Sequence, residues 1–203
     1  ARLQKLEKFK EMGIEAYPHS FNRSHDSCLL KEKKEEFLAN ETTISFAGRV
    51  VRFNRKGKVC FMHLKDRYGR LQVVCARDIV GEENYEVVKL IDLGDFIGVE
   101  GVMFETQTGE YSVKVSSVKM LSKAVRPLPT PKEKIDENGN KIIFNEFADV
   151  DTRYRQRYTD MALNDDVKDV FIKRSKIMQS IREYLIEQGF IEVETPTLQP
   201  IYG

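Results

Sequence analysis

The sequence predicts a mainly β fold with flanking helices, and three observations carry that prediction. Five short runs rich in β-branched and aromatic residues fall between residues 44 and 121, each bounded by turn-forming residues. A single helical pattern interrupts them after the third run. A long amphipathic pattern lies further on, beyond a connector stiffened by Pro127 and Pro129. Five strands with one helix after the third is the layout of an OB-fold, a small Greek-key barrel that commonly binds oligonucleotides.

The elements follow in order. Leu3, Leu6, Phe9 and Met12 recur at helical spacing and stop at Gly13. A loop runs through Tyr17-Pro18, and a second short helix is expected around Leu29 to Leu38, its Lys and Glu residues forming a solvated face. Strands are expected at Ile44 to Phe53, Val59 to Lys65, Leu71 to Ala76, Phe96 to Glu105 and Tyr111 to Leu121. Arg55-Lys56-Gly57, Asp66-Arg67-Tyr68-Gly69 and Gln107-Thr108-Gly109 supply turns. The interrupting helix spans Glu82 to Ile91, with Tyr85, Val88 and Ile91 on one side and Gly94 closing it. Lys132 to Lys141, containing Asn138-Gly139-Asn140, reads as a polar excursion. Asp165 to Gln188 is the long helix, with Asn164 or Asp165 as its cap and Gly189 as its stop. Val167, Val170, Phe171, Ile177, Met178, Ile181 and Leu185 form its apolar stripe, and Phe190 to Glu194 reads as a strand broken at Pro196. The chain thus divides into a helical extension (1–43), the barrel (44–121), a linker (122–150) and the start of a second domain (151–203). One helix and one strand cannot bury a core of their own, so that last domain reads as cut short after Gly203.

Composition narrows the function classes. Hydrophobic residues make up 41% of the chain, enough for a packed core. Thirty-three Lys and Arg against thirty-two Asp and Glu leave a net charge of +1, so any attraction for nucleic acid has to be local. No apolar run approaches the roughly 20 residues of a membrane span, and the start has no secretory signal and no initiator Met, so the true start is expected to lie upstream. Three cysteines without a Cys-x-x-Cys pair argue against a disulfide framework or a closed zinc site, and suit the reducing cytoplasm. His25-x-x-Cys28 has no second ligand pair, and no metal site is expected.

Strand alternation places the candidate site. With Cys60, Met62 and Leu64 inward, Phe61 and His63 point outward; with Leu71, Val73 and Cys75 inward, Gln72 points outward. In the fifth strand Tyr111, Val113 and Val115 go inward, and Glu110, Ser112 and Lys114 outward. An outward Phe beside an outward Gln occupies the surface on which OB-folds hold single-stranded bases. The ring stacks on any base, while Gln and Glu read base edges. Arg49, Arg52, Arg55, Lys56 and Lys58 make the first hairpin locally basic, suited to phosphates. His63 reads as a polar rim residue, because neither a carboxylate partner nor a nucleophile is indicated for it. No phosphate-binding Gly-rich loop, Gly-x-Ser-x-Gly or His-Glu-x-x-His motif is present, and Glu192 and Glu194 share one face as an edge rather than as an acid–base pair.

Several blocks then carry a resemblance. Leu121-Ser122-Lys123-Ala124-Val125-Arg126-Pro127-Leu128-Pro129, Arg153-Tyr154-Arg155-Gln156-Arg157-Tyr158, Phe171 to Ile177 and Gly189 to Ile201 closely resemble class II lysyl-tRNA synthetases. The last block is similar to motif 1 of that class, whose helix and strand pair across a homodimer and end in a Pro, here Pro196. Gly48-Arg49 through Phe61, Asp66, Gly69, Gln72, Gly94-Asp95 and Thr106 to Glu110 resemble the family's anticodon-binding OB domain. The resemblance implies that Phe61 stacks on an anticodon base, that Gln72 and Glu110 read base edges, and that Arg49 and Arg52 help hold the backbone. Gly203 would sit at the edge of the amino-acid pocket. Lysine, ATP, Mg2+ and lysine tRNA are the implied ligands of the full-length enzyme, which forms a lysyl-adenylate and then passes lysine to the tRNA. The ATP- and metal-binding residues belong to motifs 2 and 3, beyond Gly203, so these residues alone are expected not to form the adenylate. The competing expectations are a non-catalytic OB module for nucleic acid and a protein-docking barrel that buries Phe61 against a partner.

Overall fold

The computed structural model describes residues 1–130 and 147–195, and the backbone of 132–135 and 141–144. Three helices, α1 (Arg2–Glu11), α2 (Ser27–Glu32) and α3 (Lys34–Asn40), precede the first strand. Each brings one large apolar side chain into the core: Phe9, Leu30 and Phe37. Of the expected α1 stripe only Phe9 is fully buried, while Leu3 and Met12 are exposed. The single helix expected over Leu29 to Leu38 is two helices that break at Lys33, and Asp26 caps the first by accepting from the Leu29 amide at 2.9 Å.

Strands β1 (Ile44–Lys56), β2 (Val59–Lys65), β3 (Arg70–Ala76), β4 (Phe96–Glu105) and β5 (Tyr111–Ser122) close into a barrel of order β1-β2-β3-β5-β4. Only the β3–β5 contact is parallel. The expected helix between β3 and β4 is present as α5 (Glu82–Leu90), preceded by a single turn, α4 (Arg77–Val80). Alternation sends Cys60, Met62, Leu64, Val73, Cys75, Val113 and Val115 into the interior, with Leu71 beside them. Burial pushes the Cys60 thiol up to about 11 and the Cys75 thiol higher still, which leaves both as inert packing groups.

β1 serves two neighbours. Residues 44–49 pair with β4, and residues 49–56 pair with β2, with a register shift between Val50 and Arg52. The extra residue is a β-bulge, and it reverses the parity of everything after it. Ile44, Phe46 and Val50 point inward before it and Phe53 after it, so Arg49 and Arg52, three residues apart, both face outward. Gly101 is required where β4 bulges against β5, because a β-carbon there would run into the Lys114 carbonyl oxygen. At Gly98 the same substitution would enter the Phe21 ring, which packs the N-terminal segment onto β4.

Two polar clusters fasten the helices to the barrel. Lys123, with its side chain wholly buried, donates to the Leu90 carbonyl at 3.0 Å, to Asp92 at 2.7 Å and to Asp95 at 2.6 Å. Lys5 of α1 pairs with the other Asp92 oxygen at 2.6 Å, and Arg2 donates to the Ala124 and Leu93 carbonyls. The second cluster centres on Asp66 in the β2–β3 turn. Its carboxylate accepts from the Ser27 amide and hydroxyl at 2.8 and 2.6 Å, and from the Tyr68 and Gly69 amides at 2.9 Å each. It therefore pins the start of α2 to the turn.

Burial alone would raise the Asp66 pKa, but the Ser27 hydroxyl and the three amides outweigh it and hold the carboxyl below its ordinary value. A depressed folded pKa stabilises fully above the unfolded value of about 3.9 and is lost as pH falls through the folded one. Denaturation midpoints are therefore expected to fall below about pH 4, and Asp66→Asn is expected to be less stable at neutral pH with a flatter acid limb. An unchanged acid limb in that variant would contradict the assignment.

The barrel and its helices form one compact unit, Ala1–Leu128, and a second unit begins at Pro129. In the second, β6 (Lys132–Ile135) and β7 (Lys141–Phe144) pair antiparallel, where the sequence suggests an irregular excursion. Short helices α6 (Val150–Arg155) and α7 (Arg157–Leu163) lead into α8 (Asp165–Glu187). Buried Asp160 holds this corner together by accepting from Arg153 at 3.0 Å, Arg157 at 2.6 Å and Asn164 at 2.7 Å. Asn164 stands at the expected cap position but gives its amide to Asp160 rather than to the helix. No side chain of α8 is buried, so its apolar stripe stays exposed. The strand expected at Phe190 to Glu194 is not formed, because no described segment pairs with it; a strand needs a partner backbone. Arg182 Nε donates to both Glu192 oxygens at 2.8–2.9 Å, and with no strand formed there is no sheet edge for that carboxylate to occupy. Pro196 and Gly203, singled out in the sequence, lie outside the described residues.

Candidate nucleic-acid interface

The outer face of β1, β2, β3 and β5 gathers most of the expected residues. Register sets Phe61 opposite Asn54 on one side and Val74 on the other, and sets His63 between Arg52 and Gln72. Gln72 in turn lies opposite Ser112 across the parallel pair. Phe61 is half-buried and lies outside the core cluster, so its ring is not interior packing. A cavity of about 260 Å³ opens over it, bounded by Arg52 and Lys56 of β1, His63, Gln72 and Glu110.

Glu110 is placed by the β4–β5 turn. Thr106 closes that turn, donating its amide to the Glu110 carbonyl at 3.0 Å and accepting the Glu110 amide on its hydroxyl at 3.0 Å. The carboxylate then reaches back over the sheet. One oxygen accepts from Gln72 Nε2 at 2.5 Å, and the other lies 2.9 Å from His63 Nε2. Because an ionised carboxylate only accepts, the contact fixes His63 with its proton on Nε2. It also fixes the Gln72 amide, since turning the carbonyl towards Glu110 would set acceptor against acceptor. The Ser112 hydroxyl donates to Gln72 Oε1 at 2.8 Å, completing the chain.

These bonds revise one expectation. Gln72 and Ser112 sit on the outer face but are not open to solvent: Gln72 is 8% exposed and Ser112 fully buried. Glu110 covers them and is itself about half-exposed. The amide still has a second N–H, and the carboxylate has further lone pairs, so the pair presents a donor beside an acceptor.

The two arginines part company. Arg52 is exposed and lines the cavity. Arg49 faces outward but does not line it. Its guanidinium donates to the Gly94 carbonyl at 3.1 Å and stacks 4.2 Å from the Phe96 ring centre, and burial lowers its pKa while leaving it charged.

The barrel residues 44–121 match the family described as OB-fold nucleic acid binding domain, and residues 149–203 match tRNA synthetases class II (D, K and N). Over its whole length the chain is 44% identical to a lysine–tRNA ligase of Staphylococcus epidermidis, 41% to that of Staphylococcus saprophyticus and 42% to that of Oceanobacillus iheyensis. The barrel thus belongs to the OB-fold nucleic acid binding domains and residues 149–203 to the class II tRNA synthetases (D, K and N), and the chain is similar throughout to lysine–tRNA ligases. It spans 40% of the length of these curated relatives.

Two outer-face groups have partners that the sequence did not indicate: His63, expected as a polar rim residue without a carboxylate beside it, and Ser112. His63 is a partner of Glu110, and Ser112 orients Gln72. The signal for the first was present in strand parity, which puts His63 and Gln72 on one face; the partner from the β4–β5 turn was not readable. Among the described residues no helix is long and apolar enough to cross a membrane, and no three metal-ligating side chains converge.

Proposed function

We propose that this chain is the tRNA-recognising part of a lysine–tRNA ligase, whose whole protein activates lysine with ATP as a lysyl-adenylate and transfers it to lysine tRNA in the cytoplasm. Its barrel binds the anticodon: Phe61 stacks on an unpaired base, Gln72 and Glu110 read a base edge, and Arg52 meets a phosphate, with Arg49 further along the same face. The supporting observation is the Ser112–Gln72–Glu110–His63 chain of hydrogen bonds, which fixes a donor and an acceptor beside a half-open ring before any ligand arrives. Preorganised polar pairs of this kind discriminate, because a mismatched base leaves a desolvated group unpaired. Among the described residues no group of three metal-ligating side chains converges, and the part proposed for this chain is RNA binding.

The exposed apolar stripe of α8, with Ile177, Met178, Ile181 and Leu185, supports pairing of two copies through this segment and the residues leading to Pro196. In that reading the second unit supplies an interface and the first supplies the tRNA contact.

Gln72→Ala tests the reading role. Binding of a lysine tRNA transcript and of single-base anticodon swaps is compared by filter retention. The variant is expected to narrow the gap between them by about tenfold, within the 1–3 kcal/mol of one good base contact, while binding of unrelated RNA changes little. Equal losses on all transcripts would remove Gln72 from recognition.

A further inference from the structure

A second cavity, of about 440 Å³, lies on the other side of the His63–Gln72–Glu110 wall. Its far rim is built from three elements: Lys31 of α2, Lys34 of α3 and Arg70 of β3. We propose that this second compartment holds a phosphodiester of the nucleotide next to the one on Phe61, gripped by Arg70 and Lys31. The inference rests on the RNA-binding reading above and extends it from one nucleotide to two.

The charges favour an anion there. Glu110 is the carboxylate on the shared wall, and its oxygens are turned to Gln72 and His63, while the far rim is lined by cations. Glu105, the other nearby acid, is paired with Lys34 at 3.4 Å, and the Lys34 ammonium also sits 5.5 Å from the Tyr111 ring centre. Arg70 and Lys31 have no ion pair among the described residues. Two uncommitted cations from separate elements therefore face one concave space. A guanidinium suits a phosphate bidentately, and an ammonium adds a point charge.

Their meeting is a product of the fold rather than of the barrel alone. Arg70 begins β3 just after the turn that Asp66 organises. The same carboxylate holds Ser27 at the start of α2, and Lys31 stands one turn further along that helix. Its ammonium comes within 3.6 Å of where a β-carbon on Gly69 would lie, next door to Arg70. Asp66 is thus a positioning residue for the compartment: it brings a helical cation to a strand cation without touching either.

The test is the salt dependence of binding. A fluorescein-labelled anticodon stem-loop of lysine tRNA is titrated with the 203-residue chain by anisotropy, between about 50 and 200 mM KCl. Arg70→Gln and Lys31→Gln are each expected to lower the slope of log K against log[KCl] by about 0.7–0.9, with similar losses on cognate and anticodon-swapped loops. Phe61→Ala is expected to weaken binding with the slope retained, and Lys119→Gln, an exposed cation on β5 away from both cavities, to change neither. Full slopes in both Arg70→Gln and Lys31→Gln, alongside weaker binding by Phe61→Ala, would overturn the second compartment and leave the first reading standing. No effect from any of the three would overturn both.

Discussion

Replacing Lys123 with Met is expected to destabilise the first unit by about 3–5 kcal/mol, the cost of leaving a buried charge without its partner. The Lys123 ammonium and the Asp95 carboxylate are both fully shielded from solvent and 2.6 Å apart. Asp95 keeps two backbone donors, the Asp92 amide at 2.7 Å and the Ala124 amide at 2.8 Å, so its position survives the substitution while its charge is no longer balanced. Urea denaturation at neutral pH reads the loss as a lower midpoint with an unchanged slope. The double variant Lys123→Met/Asp95→Asn is expected to recover part of it, because the orphaned charge is then gone. A loss below about 1 kcal/mol in the single variant would mean that the pair's attraction merely offsets its desolvation.

Phe61→Ala is expected to weaken binding of lysine tRNA by about 1–3 kcal/mol, or roughly 5- to 150-fold, with the fold remaining cooperative. The ring is half-buried and outside the core cluster, so its removal leaves no closed cavity of the kind that makes large-to-small core changes costly. Phe61→Tyr retains a π-face and is expected to bind nearly as well. A stability loss comparable to that of a core Leu→Ala change, with tRNA affinity intact in the folded fraction, would place the ring in packing instead.

Strand parity made the barrel legible. Cys, Met, Leu and Val at alternate positions in β2 and β3 fix the inner face, and the outer face follows by subtraction. Parity could not show that Glu110, from the turn beyond β4, would close over Gln72, because that contact joins residues 38 positions apart. The Val51 bulge was hidden as well, because a run of β-formers carries no mark of one extra residue. The Asp66 clamp left a trace in the sequence, an Asp three residues before a Gly in a turn, but its grip on Ser27 depends on where α2 docks. Helices α6 and α7 escaped notice because each is barely two turns long, too short for a helical period to repeat. The expected strand after α8 failed for a different reason: its residues favour an extended backbone, and pairing has to come from elsewhere.

The irregularity in β1 also constrains how the first hairpin can vary. Its tip, Lys56-Gly57-Lys58, can lengthen by two residues and every side chain below keeps its place. Dropping Val51 would remove the extra residue and leave a regular ladder, with Arg52 still opposite His63 on the outside and Phe53 still opposite Met62 on the inside. A one-residue loss is therefore absorbed at this spot, at the cost of the extra local twist that the bulge supplies.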